Sequence, residues 1–379
     1  MTSADAGAAP ADGLRFERDD RFSGWLPVRF DSSSHLIMQV RANGLATTAI
    51  IDSGAGRSII DKTFAARLKL KPGGAFRAAG VTSNADGELA SGLVVRLGDV
   101  VLSGLETAVL DLSVLSTVGG SRIELIIGRE LFDRTLIALD FAKDRLGIFS
   151  FDEAPKADAA IDLELVADGK GRRYVPISLG RAGDLSACYD LGSDVPLVIS
   201  PDFASENGLL DGLRVSTAAS AGVSGVSLGR VAVLPRITVG GVPLLNVPIQ
   251  VPDNWNQSGP ALAGLPIWSR FINTIDYSRN RLSLAPIPAA VAAPFPKDRS
   301  GIGAARGDGR LRIIHVAEGS PAEAIGLRTG DEITAVDGHA IDTDFLASQP
   351  RIGARPAGTK VLLTLADRRQ LTLVLQDYF

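Results

Sequence analysis

Apolar residues alternate with polar ones in short runs along most of the chain, the period of half-buried strands. Runs at residues 26–30 and 36–40 are followed by Asn43-Gly44, a tight hairpin turn. The next apolar run, residues 47–51, ends in Asp52-Ser53-Gly54. The spacing of Ile59, Phe64 and Leu68 predicts a short helix over residues 58–70, stopped by Lys71-Pro72-Gly73-Gly74. Residues 80–87 read as a polar, glycine-bounded tip between strand-like segments. Strands are predicted at 93–97, 107–110, 136–141 and 145–149, with the apolar run 124–132 among them.

From about residue 161 the same order returns. Strands at 174–179 and 185–189 lead into Asp190, residues 201–208 resemble a short helix, and residues 221–226 form a second glycine-rich tip. Asp190 follows Asp52 by 138 positions (190 − 52), and Gly264 follows Gly128 by 136 (264 − 128). Asp276 follows Asp140 by 136 (276 − 140), and Arg281-Leu282 follows Arg145-Leu146 by the same 136. A near-constant offset over four landmarks is an internal repeat. One Asp-Ser-Gly triplet is ordinary turn chemistry. Its echo in Asp190-Leu191-Gly192 predicts two carboxylates on tight loops, facing each other across a pseudo-two-fold axis.

Composition narrows the chemistry. At 379 residues the chain has room for two or three domains. A formal net charge of −4 without a basic block argues against nucleic acid as the main partner. The apolar runs are too short to span a bilayer, so no transmembrane segment is expected. The three histidines, His35, His315 and His339, are scattered and form no metal-ligand pattern; the single cysteine, Cys188, has no partner for an internal disulfide. Lying in an apolar strand two residues before Asp190, Cys188 reads as buried rather than reactive. Residues 1–13, rich in Ala, Gly and Asp, lack the charged start and apolar core of a signal peptide and read as a flexible lead-in.

Ile51-Asp52-Ser53-Gly54-Ala55 and Ile126-Ile127-Gly128-Arg129, with Asp190-Leu191-Gly192 and Leu262-Ala263-Gly264 in the second half, resemble the aspartic proteases. The resemblance is to the bacterial retropepsin-like kind with two fused lobes, in the pepsin/retropepsin superfamily, and covers roughly residues 25–287. It implies a mainly β, bilobal fold and an aspartic-type endopeptidase that hydrolyses protein substrates without a metal or other cofactor. Asp52 and Asp190 would be the catalytic pair, sharing one proton and activating a water between them. Ser53, Gly54, Ala55, Gly192, Ser193, Gly128 and Gly264 would support the loops. Gly80, Val81 and Thr82, with Ala221, Gly222 and Val223 as a weaker counterpart, would form a flap over an extended peptide. Two departures stand out. Leu191 occupies a position where the family carries a Thr or Ser that bonds across the axis, which predicts an asymmetric dyad unless Ser193 substitutes. The first tip also lacks a tyrosine. The alternative reading is a catalytically impaired peptide-binding or scaffold protein built on a degenerate protease fold.

Beyond residue 287 the Pro/Ala-rich stretch 288–297 reads as a semi-stiff linker. Residues 319–338 then resemble a PDZ domain of the bacterial type, with a helix starting near Ser320-Pro321 and ending at Gly326. That resemblance implies a carboxylate-binding loop at Gly301, Ile302 and Gly303, preceded by Lys297 and Ser300, and a C-terminal peptide as ligand. Packing against the protease without a ligand is the other reading. The expected organisation is a flexible segment 1–20, a first lobe 21–153, a second lobe 154–287, a linker 288–297 and a PDZ domain 298–379. By analogy with PDZ-linked proteases the expected setting is periplasmic or secreted, with a cytoplasmic one left open.

Overall fold

Strands Leu136–Asp140 and Phe271–Asp276 run antiparallel with Ala138 opposite Thr274. These two residues are 136 positions apart (274 − 138), the offset of the repeat itself, so the pseudo-two-fold axis passes between them. The computed structural model describes residues 13–18, 21–31, 34–119, 122–152, 160–342, 345 and 351–379. Among them, the two axial strands centre a six-stranded sheet that also contains Phe22–Pro27, Arg145–Phe149, Ile161–Glu164 and Arg281–Pro286. Both repeats therefore contribute to one shared sheet beneath the axis.

Above it each repeat builds its own sheet around the same crossing. In the first, Leu125–Ile127 lies parallel to Leu45–Ile51, with Ile127 beside Ile51, and antiparallel to Ile59–Asp61. In the second, Ala261–Gly264 lies parallel to Asp184–Asp190, with Gly264 beside Asp190, and antiparallel to Leu197–Ile199. Leu125–Ile127 and Ala261–Gly264, the strands at the crossing, are buried at every residue and accordingly read as unbroken apolar runs. One continuous core runs through both lobes, from Ile51, Phe64 and Leu125 to Tyr189, Leu191 and Trp268.

Four local expectations change. The helix predicted over residues 58–70 is a strand, Ile59–Asp61, followed by a helix at Lys62–Arg67. Ile59 and Ile60 pair with Ile126 and Leu125, and Asp61 caps the helix by accepting the Thr63 N–H, so the β-branched pair goes to the sheet. The Lys71-Pro72-Gly73-Gly74 stop opens strand Lys71–Ala79. The first tip is narrower than expected, because Asn84 to Gly87 already belong to strand Asn84–Leu97. Within the supposed flexible segment, Leu14–Phe16 is an edge strand paired with Val100 to Leu102, its two apolar side chains packed on the core. Residues 1–12 and 19–20, and the lobe boundary at 153/154, lie outside the described residues.

The stretch expected as a linker is tied down at its start. Pro288–Ala292 forms one helical turn, and the buried Arg270 guanidinium donates to the carbonyls of Ala290, Val291 and Ala293 while stacking 3.5 Å from the Phe295 ring. The C-terminal sheet contains Ile302–Gly307, Arg310–Val316, Glu332–Val336, Lys360–Leu365 and Gln370–Val374, with the short helix Pro321–Ala324 capped by Ser320. This sheet rests on the second lobe. Ser216 donates to the Glu318 carbonyl at 2.6 Å, Thr217 meets His315 Nε2 at 2.9 Å, and Val231 packs with Ala317, Tyr378 and Phe379. No helix among the described residues is long and apolar enough to cross a membrane.

Candidate active site

Asp52 and Asp190 leave the ends of the two parallel strands and meet at the axis. A Cβ on Gly54 would overlap the Asp190 carboxyl, and one on Gly192 would overlap the Asp52 carboxyl, so each loop glycine makes room for the opposite aspartate. The two carboxyls share a hydrogen bond. Asp52 Oδ1 accepts the N–H groups of Gly54 at 2.8 Å and Ala55 at 2.9 Å; Asp190 Oδ1 accepts only the Gly192 N–H, at 2.9 Å.

That difference in donors orders the two acids. Burial raises the pKa of both. For Asp52 the two N–H donors, the Asp190 proton and the nearby His35 oppose the rise. For Asp190 the negative charge of Asp52 adds to it and outweighs the opposing Gly192 N–H and Arg172 charge. Asp52 therefore carries the charge of the pair and Asp190 the shared proton.

The loops are pinned by equivalent backbone bonds. Arg129 N–H donates to the Ala55 carbonyl and Leu265 N–H to the Ser193 carbonyl, each at 2.9 Å. Gly128 and Gly264 lie so close to the chain that a Cβ would strike the Arg57 backbone in the first lobe and the Val195 and Ser193 carbonyls in the second. The hydroxyl lock is one-sided. Ser53 Oγ donates to the Tyr189 carbonyl at 2.9 Å and accepts the Leu191 N–H at 3.0 Å, whereas Leu191 is fully buried in the core. Ser193 does not replace the missing hydroxyl, since its Oγ turns to the Val195 carbonyl of its own loop.

A cleft of about 570 Å³ opens over the pair, lined by apolar groups such as Ile50, Phe76, Ile126 and Leu262. Gly80, Val81 and Thr82 from one lobe and Ala221, Gly222 and Val223 from the other also line it, and the tips touch where Gly80 meets Ser224. Residues unnoticed in the sequence hold the first tip: Asn256 N–H donates to the Val81 carbonyl at 2.8 Å and Gln257 Nε2 to the Gly80 carbonyl at 2.5 Å. His35 and Arg172 were missed as well, although a spacing of 137 (172 − 35) sets them at equivalent points of the repeat. Cys188 is buried, which pushes its thiol pKa up.

The loop expected to cradle a peptide carboxylate has two of its N–H groups engaged internally. Gly301 N–H donates to Asp298 Oδ2 at 2.6 Å and Ile302 N–H to Ser300 Oγ at 3.1 Å, while Gly303 packs on Ala219 of the second lobe. Short side chains next to the glycines thus satisfy two of the N–H groups internally.

Residues 38–131 match the family model described as an aspartyl protease, and residues 312–366 match that of the PDZ domain. With the fold above, these matches define a mainly β chain with an aspartyl protease region of the retropepsin-like kind and a C-terminal PDZ domain. The first match ends within the first lobe, so kinship of the second lobe rests on the repeat and the shared axis. Comparison with curated proteins finds no match.

Proposed function

We propose that the chain is an aspartic endopeptidase acting on extended protein segments, with Asp52 as general base and Asp190 as general acid. The observation that carries this reading is the unequal hydrogen bonding of two facing carboxyls, two N–H donors on Asp52 against one on Asp190. Asp52 takes a proton from a water held between the acids, and the water oxygen bonds to the scissile carbonyl carbon. Asp190 gives its proton to the carbonyl oxygen, forming a gem-diol. Asp52 then passes its proton to the amide nitrogen as the C–N bond breaks. Asp190 recovers a proton from the diol hydroxyl, which restores the starting state. The apolar lining of the cleft supports an extended peptide lying beneath the two tips. The PDZ domain, seated on the second lobe, serves substrate recognition or regulation.

Incubation with an unfolded protein, followed by mass spectrometry of the fragments, tests the reading. Internal cleavage by the wild type and none by Asp52→Asn is the expected result. The buried Leu191 in place of a locking hydroxyl is what favours a binding-only protein. Peptide binding in the cleft with no cleavage at any pH would decide for that.

A further inference from the structure

Cationic side chains gather at one end of the cleft. Arg129 Nη1 donates to the Lys170 carbonyl at 2.5 Å, Arg172 follows two residues later, and all three line the cavity. Arg129 is engaged by Asp133 at 2.8 Å. Arg172 acts electrostatically on Asp168, Asp190 and the Tyr174 hydroxyl, yet its buried Nη1 has no hydrogen-bond acceptor among the described residues. A guanidinium nitrogen left in this state is costly, so it marks a place where an acceptor belongs.

The repeat identifies the missing acceptor. Asp31 and His35 correspond to Asp168 and Arg172, each 137 positions on (168 − 31; 172 − 35). Both loops close in the same way: Asp31 Oδ1 accepts the His35 N–H at 2.8 Å, and Asp168 Oδ1 accepts the Arg172 N–H at 2.9 Å. The two cations therefore flank the aspartate pair on opposite sides. His35 pairs with Asp31 of its own loop at 3.2 Å, and Asp194 of the other lobe, four positions after Asp190 (194 − 190), lines the same cleft and adds a negative charge near the ring. The position four after Asp52 is Gly56 (56 − 52). Gly56 lines the cleft, and a Cβ there would meet nothing within 4 Å. Where the second lobe offers a carboxylate to His35, the first lobe leaves open space for Arg172.

We propose that this end of the cleft is an acid-selective subsite, in which a Glu or Asp side chain of the bound peptide enters the space beside Gly56 and pairs with Arg172. Lys170 adds a second positive charge at its rim. The paired acid would sit at a fixed distance from the scissile bond, because Arg172 and Asp190 are held by adjacent strands, Arg173–Ser178 and Asp184–Asp190. The proposal rests on the peptide-cleaving reading of the same cleft, so its test uses binding as well as cleavage.

The Asp52→Asn protein, which retains the cleft, is incubated with a degenerate peptide library, and the retained peptides are sequenced. Enrichment of Asp and Glu over Asn and Gln at one position, on the order of tenfold for a charge-assisted pair, is expected. Arg172→Gln in that background should remove it. Gly56→Asp, which supplies an internal carboxylate to Arg172, should remove it too and decides the matter if Arg172→Gln fails to fold. No acidic enrichment, or enrichment surviving Gly56→Asp, would overturn the proposal. Failure of the wild type to cut the retained peptides would instead count against the protease reading and leave the binding result standing.

Discussion

Ser53 and Leu191 occupy equivalent positions of the two loops and meet across the axis, the Ser53 hydroxyl accepting the Leu191 N–H at 3.0 Å. One hydroxyl thus does for both loops what a symmetric site would divide between two, since the same oxygen also donates to the Tyr189 carbonyl. Ser53→Ala leaves the buried Leu191 N–H without its partner and the Tyr189 carbonyl with only the weak Cys188 thiol at 3.9 Å, at about 1–3 kcal/mol for each lost bond. The expected result is a loss of roughly 2–4 kcal/mol in denaturant unfolding together with lower activity. Leu191→Thr, which restores the hydroxyl, should still be destabilising by about 1–3 kcal/mol, because it removes a fully buried apolar side chain. A gain in stability for Leu191→Thr would contradict this account of the loop.

Asp190 makes stability depend on pH in a direction opposite to that of most paired carboxylates. Its folded pKa lies above the ordinary value of 3.8 because the group is buried and faces the Asp52 charge. The native state binds this proton more tightly than the unfolded chain, so the contribution is complete below the ordinary value and is lost as pH rises through the folded one. Asp190→Asn carries no such dependence. Its melting temperature should rise relative to wild type as pH increases from about 4 towards neutrality, a trend read by calorimetry across that range. A constant difference at every pH would mean that Asp190 titrates normally.

His35 shifts stability with pH in the same direction. Burial alone would lower its pKa, but the ring's hydrogen bond to Asp31 and the charges of Asp194 and Asp31 outweigh that and the opposing Arg351, so the net shift is upward from 6.5. The imidazolium therefore contributes stability that is full below 6.5 and fades as pH rises through the folded value. His35→Gln should cost most near about pH 5 and progressively less in alkaline buffer. Proton NMR of the His35 ring should give a pKa above 6.5; a value below it would refute the Asp31 pairing.

Arg270 tests the attachment of the segment before the PDZ domain. Its guanidinium binds three carbonyls of residues 290–293 and stacks on Phe295, and burial lowers its pKa to about 10. Arg270→Ala frees these acceptors and should expose residues 288–297 to limited proteolysis, releasing the C-terminal domain as one fragment. Equal resistance of variant and wild type would show that the segment is held by other contacts.

The part of the fold most legible in the sequence is the part that is repeated. The offset between Asp52 and Asp190 pointed to an axis, and the structure centres that axis on Ala138 and Thr274. Ile59-Ile60 was misread because helical spacing of Ile59, Phe64 and Leu68 holds equally for a strand running into a capped helix. The engagement of Gly301 and Ile302 N–H groups by Asp298 and Ser300 depends on side-chain rotamers, which no spacing rule encodes. Arg172 and His35 were within reach of the repeat. The loop pair Asp31/Asp168 that carries them closes without a glycine in common, so it lacks the Asp-x-Gly signature that marks the loops of Asp52 and Asp190.

On the proposed reading, the diverged second lobe supplies half of a working pair. The most direct test is the rate at which Asp190→Asn cleaves an unfolded protein, compared with wild type between about pH 3 and about pH 8, the span over which a coupled carboxylate pair titrates. The expected result is a wild-type rate that falls when both acids are protonated and again when both are ionised, and no cleavage by Asp190→Asn at any pH. Cleavage by Asp190→Asn at a rate near that of wild type would contradict it, leaving Asp52 to act alone and the second lobe as scaffold.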